Sequence, residues 1–533
     1  MGVPSWDYIV IGAGHNGLSA ACTLAEAGAS VLVVEQLSII GGLSASFPYL
    51  SEAPEHVLSL GAMDDMFMSS TSLAADLGLA RYGYSATRLD HPYGWIGEDG
   101  ETLLLFHDYE RTLADIRYFS PQDARAYAEL RPTLDWILDA QQAVMTSHPA
   151  RLPKKELVRK LLQLAPSRRL RRTLGQILTT NLVEMVAETF ESDQMRALCT
   201  YWASMIGPID LDGGGFYCVG LAAVHRKPGV MRPRGGMGGL MNAFAGHLAA
   251  HKGEIRTGTA VERILADEHG ARGVRLADGT ELFAEHGVLA TCAPQIALGK
   301  LLDDGVLDSA TRAKVAMLPA NANNSATFKI DMAVSARVGY PAAEARRKLR
   351  DDADIRRTAL MTGTFEDQIA QLRQIKKGAT LPSPPVYMAI LSASDRSLAP
   401  DGQDVLYLAS NVPAEPVGGW PANKEAFTET VLGSVRRYMG GLDAEIGRVV
   451  MCPADFEERY NAPRGTYFHV DMTPLRLAMN RPARGLGGYR TSVPGFYLAG
   501  AGTHPGGGVS GWPGRLAART ALEERSESGC AAR

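Results

Sequence analysis

The stretch Tyr-Ile-Val-Ile-Gly-Ala-Gly-His-Asn-Gly, residues 8–17, carries the strongest fold signal in this 533-residue chain. Its four apolar residues predict a strand, a Gly-x-Gly-x-x-Gly motif follows at once, and residues 18–27 have the composition of a helix. A second apolar run, residues 30–34, completes a predicted β-α-β unit of a buried parallel sheet. In such a unit the glycines make the turn, let the backbone approach a pyrophosphate, and let the helix pack on the strand. The sequence therefore predicts a dinucleotide site, with the phosphates at a helix N-terminus.

Two features after the second predicted strand narrow the type of dinucleotide. Glu35 ends that strand, where its carboxylate is able to accept both hydroxyls of an adenosine ribose. Gly41 and Gly42 follow, a pairing that resembles the extended fingerprint of the large FAD family that includes amine oxidases and phytoene desaturases. No second Gly-x-Gly-x-x-Gly motif follows a predicted strand, and the glycine-rich run 235–239 has no buried strand before it. We expect FAD as the tightly held dinucleotide, and transient contact with NAD(P)H as a reductant stays open.

A glycine-rich segment near the other end of the chain, residues 495–514, is the second half of the predicted site. Its glycines would bring the backbone close to the isoalloxazine ring. Pro513 suits the first turn of a helix, whose N-terminus would stabilise negative charge on a reduced flavin. His504 is the titratable residue of this segment and a weak candidate for a proton donor; a turn histidine that bonds its own backbone is the favoured interpretation. His15 is expected to shape the phosphate loop.

These motifs together resemble the phytoene desaturase-type FAD oxidoreductases, and most closely the subgroup with Gly-His-Asn-Gly at residues 14–17 and Gly-Thr-His-Pro-Gly-Gly at residues 502–507. Residues 233–237, Pro-Arg-Gly-Gly-Met, resemble the central glycine motif of that family, and Val261 matches the position whose backbone contacts adenine. Two positions depart from the pattern. Ala501 stands where many relatives have an acid, and Leu43 stands where an arginine is common. The resemblance implies a long, apolar polyene as the substrate class.

The predicted cofactor contacts combine the motif glycines with their neighbours: Gly12, Ala13, Gly14, Asn16, Gly17, Leu18, Glu35, Gln36, Gly41, Gly42, Leu43, Val261, Gly500, Ala501, Gly511 and Trp512. No metal ligands are predicted. Methionine and aromatic residues are candidates for the wall of a substrate pocket, with core packing as the simpler alternative: Met63, Met66, Phe67, Met68, Trp202, Met205, Phe216 and Tyr217.

The order of predicted elements indicates an α/β fold in which two domains interleave. An FAD-binding, Rossmann-like domain with three layers (ββα) is expected from residues 1–83, 224–294 and 454–533, the last with a disordered tail over residues 526–533. An α+β substrate domain is expected from residues 84–223 and 295–453. Residues 110–202 have helical patterning, and Asp-Gly at 278–279 predicts a hairpin.

Composition excludes several classes of protein. Hydrophobic residues make up 46% and charged residues 21%, and the net charge of −4 gives no bulk attraction to nucleic acid. The six cysteines are scattered without a Cys-x-x-Cys pair, which favours reduced thiols, with Cys530 expected to be exposed. We found no signal peptide and no membrane-spanning run, so a cytoplasmic protein is expected. A basic, leucine-rich stretch, residues 151–174, is typical of two surfaces: one in peripheral contact with an anionic membrane, or a solvated helix face over the core.

Several functions remain open from the sequence. The leading hypothesis is an FAD-dependent desaturase acting on a lipophilic polyene. A second keeps the fold and reverses the electron flow: NAD(P)H reduces the flavin, and reduction of a polyene drives ring closure in a natural-product pathway of the polycyclic tetramate macrolactam type. Amine oxidation and a non-catalytic lipid-binding scaffold are further options.

Overall fold

Strands and helices alternate along the chain, and the computed structural model describes residues 5–164, 167–473 and 475–531. The strands are β1 (Ser5–Ile11), β2 (Val31–Val34), β3 (Ala86–Arg88), β4 (Tyr93–Ile96), β5 (Thr102–Leu105), β6 (Met231–Pro233), β7 (Glu254–Arg256), β8 (Val261–Asp267), β9 (Gly270–Leu276), β10 (Glu281–Ala290), β11 (Ser325–Val334), β12 (Ala359–Met361), β13 (Tyr387–Ile390), β14 (Asp404–Pro413), β15 (Glu445–Met451) and β16 (Phe496–Leu498). The α-helices are α1 (His15–Glu26), α2 (Leu73–Asp76), α3 (Tyr109–Phe119), α4 (Pro121–Met145), α5 (Lys154–Leu164), α6 (Arg168–Thr179), α7 (Leu182–Thr189), α8 (Asp193–Ser204), α9 (Val219–Ala222), α10 (Met237–Ala250), α11 (Pro294–Gly299), α12 (Ser309–Ala316), α13 (Pro341–Arg347), α14 (Phe365–Lys376), α15 (Leu391–Ser394), α16 (Trp420–Val435), α17 (Pro453–Tyr460) and α18 (Trp512–Ala531).

The first sheet is built around β1, in the strand order β7-β2-β1-β10-β9-β8, with β16 paired to β10. Strands β2 and β10 flank β1 in parallel, as the β-α-β prediction requires. Tyr8 and Val10 pack against α1, α10 and α18 on one face, while Ile9 and Ile11 pack with residues of β8 and β9 on the other. Burial on both faces explains the continuous apolar runs of β1 and β2. The predicted hairpin at residues 278–279 is confirmed, since β9 and β10 pair antiparallel on either side of it.

The second sheet has the order β15-β11-β14-β13-β12-β4-β5. Its neighbouring strands pair antiparallel, except for the parallel pair β12 and β4. One face packs against α16, and the other contributes to a core shared with α4, α7 and α8. The β11 strand lies between β14 and β15, and eight of its ten residues are buried.

The two sheets draw on alternating parts of the chain, which confirms the predicted α/β class. The first sheet takes strands from residues 5–34, 254–290 and 496–498, and the second from residues 93–105 and 325–451. The predicted helical stretch is confirmed as α3 to α8. The domain limits at 83, 223, 294 and 453 stay predictions.

The prediction of a disordered tail from residue 526 is wrong, because α18 continues to Ala531. Just before the predicted tail, the hydroxyl of Tyr497 donates to Glu524 at 2.6 Å, and Arg151 forms an ion pair with Glu523. The predicted exposure of Cys530 falls on a side chain outside those the structure describes. Within the described ranges, no helix has the length and apolar character needed to cross a bilayer.

Candidate active site

One cavity of about 680 Å³ extends from the loop between β1 and α1 to the inner face of the second sheet. This volume is in the range of pockets that hold small molecules and cofactors, roughly 300–1,000 Å³. Ten of the predicted cofactor residues line it: Gly12, Gly14, Asn16, Glu35, Gln36, Gly41, Gly42, Leu43, Val261 and Ala501. The sequence motifs from both ends of the chain therefore meet at one wall.

The glycine loop has the geometry expected for a phosphate site. Gly12 has φ +97°, which a side chain would disfavour, and a Cβ on Gly17 would lie 1.9 Å from the carbonyl oxygen of Gly12. A Cβ on Gly14 would meet only the carbonyl oxygen of Gly41, at 3.9 Å, so the space in front of Gly14 belongs to the cavity. Helix α1 starts at His15 without a side-chain cap, which leaves first-turn N–H groups available for an anion.

Glu35 is fixed by the backbone around it. Its Oε2 accepts a hydrogen bond from the Ala13 N–H at 2.8 Å, and its Oε1 accepts one from the Leu37 N–H at 2.9 Å. Burial raises the pKa of the carboxyl group, and these two hydrogen bonds oppose that rise. Each oxygen keeps a lone pair, so the carboxylate is able to accept two ribose hydroxyls. The buried Oδ1 of Asn16 has no partner within the described protein. The uncapped N-terminus of α1, the fixed carboxylate of Glu35 and the unpaired amide oxygen of Asn16 together fit a bound dinucleotide.

Six predicted cofactor residues lie behind the cavity wall and form its framework: Ala13, Gly17, Leu18, Gly500, Gly511 and Trp512. A Cβ on Gly500 would lie 2.3 Å from the Thr291 carbonyl oxygen, so this glycine permits close packing against the end of β10. The Trp512 ring donates a hydrogen bond to Thr71 at 3.0 Å. The C-terminal segment instead reaches the cavity through Ala501, Gly508 and Val509. Direct cofactor contact by the six framework residues stays a prediction.

The structure corrects the candidate role of His504. This residue is buried outside the cavity lining, and its Nε2 bonds the carbonyl oxygen of Val144 in α4 at 3.0 Å. Burial lowers its pKa to about 4, so the ring is neutral and donates to that carbonyl. Its partner is a helix 360 residues earlier in the chain, and not its own turn. The contacts of His504 therefore give it a structural role.

In contrast to His504, two histidines do line the cavity, His15 and His469. His15, for which the sequence suggested only a loop role, has Nδ1 at 3.3 Å from the Ser44 hydroxyl, and burial lowers its pKa to about 4. His469 has φ +63° and a pKa lowered to about 3, chiefly by burial and also by Arg481 and His15. Both rings are thus neutral polar groups next to the phosphate loop. Sequence reasoning missed His469 because it lies in an irregular segment with no motif.

A buried lysine, Lys329, faces the other part of the cavity and forms an ion pair with Asp331. Lys329, which lines the cavity, lies with its Nζ 2.5 Å from Asp331 Oδ1, 3.1 Å from the Ser59 carbonyl oxygen and 3.3 Å from the centroid of the Tyr407 ring. Burial lowers the pKa of Lys329 to about 8 and raises that of Asp331 to about 6. The sequence did contain a signal that was missed: Lys-x-Asp within the apolar strand β11 places both charges on one buried face.

Apolar and aromatic side chains form the rest of the wall. Five of the eight candidate wall residues line the cavity: Met63, Met66, Phe67, Trp202 and Met205. The other three, Met68, Phe216 and Tyr217, do not; Met68 is buried with α1 and α18, as the core-packing alternative expects. Tyr93 lies in the wall with its ring centroid 4.2 Å from that of Trp202. The Tyr93 hydroxyl donates to Asp64, which pairs with Arg232 at 2.7 Å.

The glycine loop, Glu35 and the adjoining apolar cavity have the arrangement that we expect of a dinucleotide-dependent oxidoreductase. Residues 17–512 match the family described as flavin containing amine oxidoreductase. The chain belongs to this family and is an FAD-dependent oxidoreductase.

Three individual proteins are similar to this chain, two in sequence and one in fold. The rat protein named pyridine nucleotide-disulfide oxidoreductase domain-containing protein 2 is 28% identical, over 98% of this chain and 94% of the rat protein. A neurosporene-forming phytoene desaturase from Rhodobacter capsulatus is 26% identical, over 94% of this chain and 90% of the desaturase. The solved structure of an oxidoreductase from Methanosarcina mazei matches 97% of this chain and 99% of its own chain, with a TM-score of 0.61. The two sequences are 17% identical, so this similarity concerns the fold alone.

Proposed function

We propose that this chain transfers a hydride between flavin N5 and a lipophilic, polyene-type substrate, in the direction of desaturation. The observation that carries the proposal is the single cavity that joins the dinucleotide loop to an apolar and aromatic wall. The Rhodobacter capsulatus relative, which is named for a desaturation of phytoene, supports the substrate class. No paired carboxylates or metal are needed for this chemistry, because bound FAD supplies the hydride acceptor.

The wall residues would bind and orient the substrate. Met63, Met66 and Met205 offer flexible apolar surface, and Trp202 and Tyr93 offer flat ring faces. Such a wall favours a long hydrocarbon with flat alkene segments and excludes water from the reacting carbons. The polar groups of the cavity leave the apolar wall between them for the substrate. The histidines lie next to the phosphate loop, and Lys329 lies on the second sheet.

Desaturation also releases a proton from the carbon next to the one that gives up the hydride. The Lys329–Asp331 pair is suited to receive it. Because the pKa of Lys329 is about 8, a larger fraction of its amine is free at neutral pH than for an ordinary lysine. Asp331, with a pKa of about 6, keeps the charge of the protonated amine balanced. In this proposal Lys329 Nζ holds the proton and the Tyr407 ring stabilises the ammonium form.

The proposal is tested by mixing the purified, FAD-loaded protein anaerobically with phytoene in detergent micelles. We expect the visible absorption of the oxidised flavin to bleach and a product with a longer conjugated chain to form in equal amount. No bleaching and no product with phytoene or shorter polyenes would contradict the proposal.

Other outcomes distinguish the alternatives. Bleaching by NADPH, followed by reoxidation when a polyene is added, would assign the reductive reaction in place of desaturation. Bleaching by primary amines but not by polyenes would assign amine oxidation. A protein that stays colourless after FAD reconstitution would favour the non-catalytic scaffold.

A further inference from the structure

The helices α5 and α6, with Arg151 before them, concentrate positive charge on one part of the surface; we refer to residues 151–179 as the basic helix pair. Nine of its residues are lysine or arginine, and Glu156 is its single acidic residue. The whole chain has a net charge of −4, so the rest of the molecule, with 45 basic and 57 acidic residues, carries a net negative charge. This asymmetry predicts an orienting electrostatic field with the basic helix pair facing an anionic partner.

Much of this charge is not neutralised locally. Lys154, Lys155, Arg168 and Arg172 are exposed and form no ion pair within the described part of the chain. Two exposed arginines have only long contacts: 3.8 Å from Arg159 to Glu156, and 3.6 Å from Arg169 to Glu129. Lys160 differs, because it is buried and pairs with Asp139 at 2.7 Å. Exposed pairs of this length contribute little in water, so these cations remain available.

Large aliphatic side chains are exposed among the cations. Val158 and Leu162 lie one turn apart on α5, with 53% and 67% of their surface exposed, and Leu178 on α6 is 51% exposed. Adjacent exposed aliphatic and basic groups are typical of helices that lie in the interface of a membrane. The basic helix pair contains no aromatic residue, whereas surfaces that bind single-stranded nucleic acid use aromatic rings to stack bases. These features favour a lipid surface over a nucleic acid.

The basic helix pair is attached to the substrate side of the molecule. The Cβ position of Gly215 would lie 3.2 Å from the Cα of Ile177 in α6, so α6 packs directly on the segment that follows α8. Helix α8 and the residue after it supply Trp202 and Met205 to the cavity wall. The surface that would contact lipid is therefore joined to the wall that would contact substrate.

We propose that the basic helix pair is a peripheral docking surface for a bilayer that contains anionic lipids. The cations contact the headgroups, and Val158, Leu162 and Leu178 enter the boundary between headgroups and acyl chains. This inference does not depend on the proposed reaction, since binding is measured without turnover.

The test is co-sedimentation of the FAD-loaded protein with vesicles of phosphatidylcholine alone or mixed with phosphatidylserine. We expect binding to the mixed vesicles at low salt, at least tenfold less binding to neutral vesicles, and release at high salt. The variant K154Q/K155Q/R168Q/R172Q should lose binding at least tenfold, and V158S/L162S should lose it several-fold. Flavin content and melting temperature should be unchanged in both variants, which shows that they are folded.

Matched controls carry the same changes elsewhere on the surface. K252Q/R312Q/K348Q/K377Q removes four other exposed cations, and L349S/V417S removes two other exposed aliphatic side chains; both should bind like the parent protein. The proposal is overturned by absence of vesicle binding at low salt, or by equal losses in the control variants. It is also overturned if single-stranded RNA, and not vesicles, retains the protein.

Discussion

Lys329 and Asp331 form an ion pair in which both side chains are almost fully buried, with Nζ and Oδ1 2.5 Å apart. They occupy alternate positions of β11, so the strand geometry itself holds them on one face. Burial disfavours the charged forms, so it lowers the pKa of Lys329 to about 8 and raises the pKa of Asp331 to about 6. This pair is the site's proton-holding group in the proposed reaction.

Replacing Lys329 should be costly unless Asp331 is replaced as well. K329M keeps the aliphatic stem but leaves a buried carboxylate without its cation, so the free energy of unfolding should fall by about 3–5 kcal/mol. K329M/D331L should recover most of this loss, because it removes the unpaired charge. Urea unfolding of the flavin-loaded protein measures both. The exposed Lys348 provides the control K348M; an equal change in K329M and K348M would show that the pair does not exist as described.

His504 should make the protein sensitive to acid. Its pKa is about 4 in the folded protein and near 6.5 in the unfolded chain, so the unfolded chain binds a proton first as the pH falls. The corresponding stability is fully present above about pH 6.5 and is lost toward pH 4. H504Q keeps an N–H donor for the Val144 carbonyl without titrating, so its melting temperature should fall less over this window.

The control for this prediction is H269Q, which changes a histidine at the surface of the β8–β9 turn. Its melting temperature should follow the parent protein at every pH. Identical acid slopes for H504Q and the parent protein would contradict the buried, neutral assignment of His504.

Met63 tests the apolar wall. Its side chain is 7% exposed and lines the cavity, so M63Q would place an amide without partners against the substrate. A mismatch of this kind costs about 1–3 kcal/mol, which corresponds to a loss of kcat/KM for a polyene of roughly 5- to 150-fold. M317Q makes the same change at a methionine that is 78% exposed. A loss of activity in M317Q as large as in M63Q, or none in M63Q, would rule out this wall as the substrate surface.

The sequence was sufficient for the parts of the site that local chemistry determines. A buried strand followed by spaced glycines requires a particular turn, and Glu35 at the end of β2 is held beside that turn by one hydrogen bond to Ala13. The Asp-Gly turn at residues 278–279 likewise predicts its hairpin from neighbouring residues alone. In each case the interacting groups are close in the chain or are connected by one β-α-β unit.

The rest depends on distant segments that meet only in the folded protein. Tyr93, Tyr387 and Tyr407 come from β4, β13 and β14, and no sequence spacing indicates that they line one cavity. The sequence also does not indicate the direction in which a side chain points. Trp512 follows a motif that resembles a flavin-facing segment, yet its ring bonds Thr71 behind the wall.

We propose that FAD occupies the cavity in front of Gly14, and the flavin content of the variant G14V tests this most directly. A Cβ at residue 14 would meet nothing of the protein closer than 3.9 Å, so we expect the variant to fold. It would fill space next to the phosphate loop, so the purified protein should be soluble, melt cooperatively and contain no FAD. G433V, at an exposed helix position with no neighbour within 4 Å, should keep full flavin content. Full flavin occupancy in G14V would contradict the assignment of this cavity to FAD.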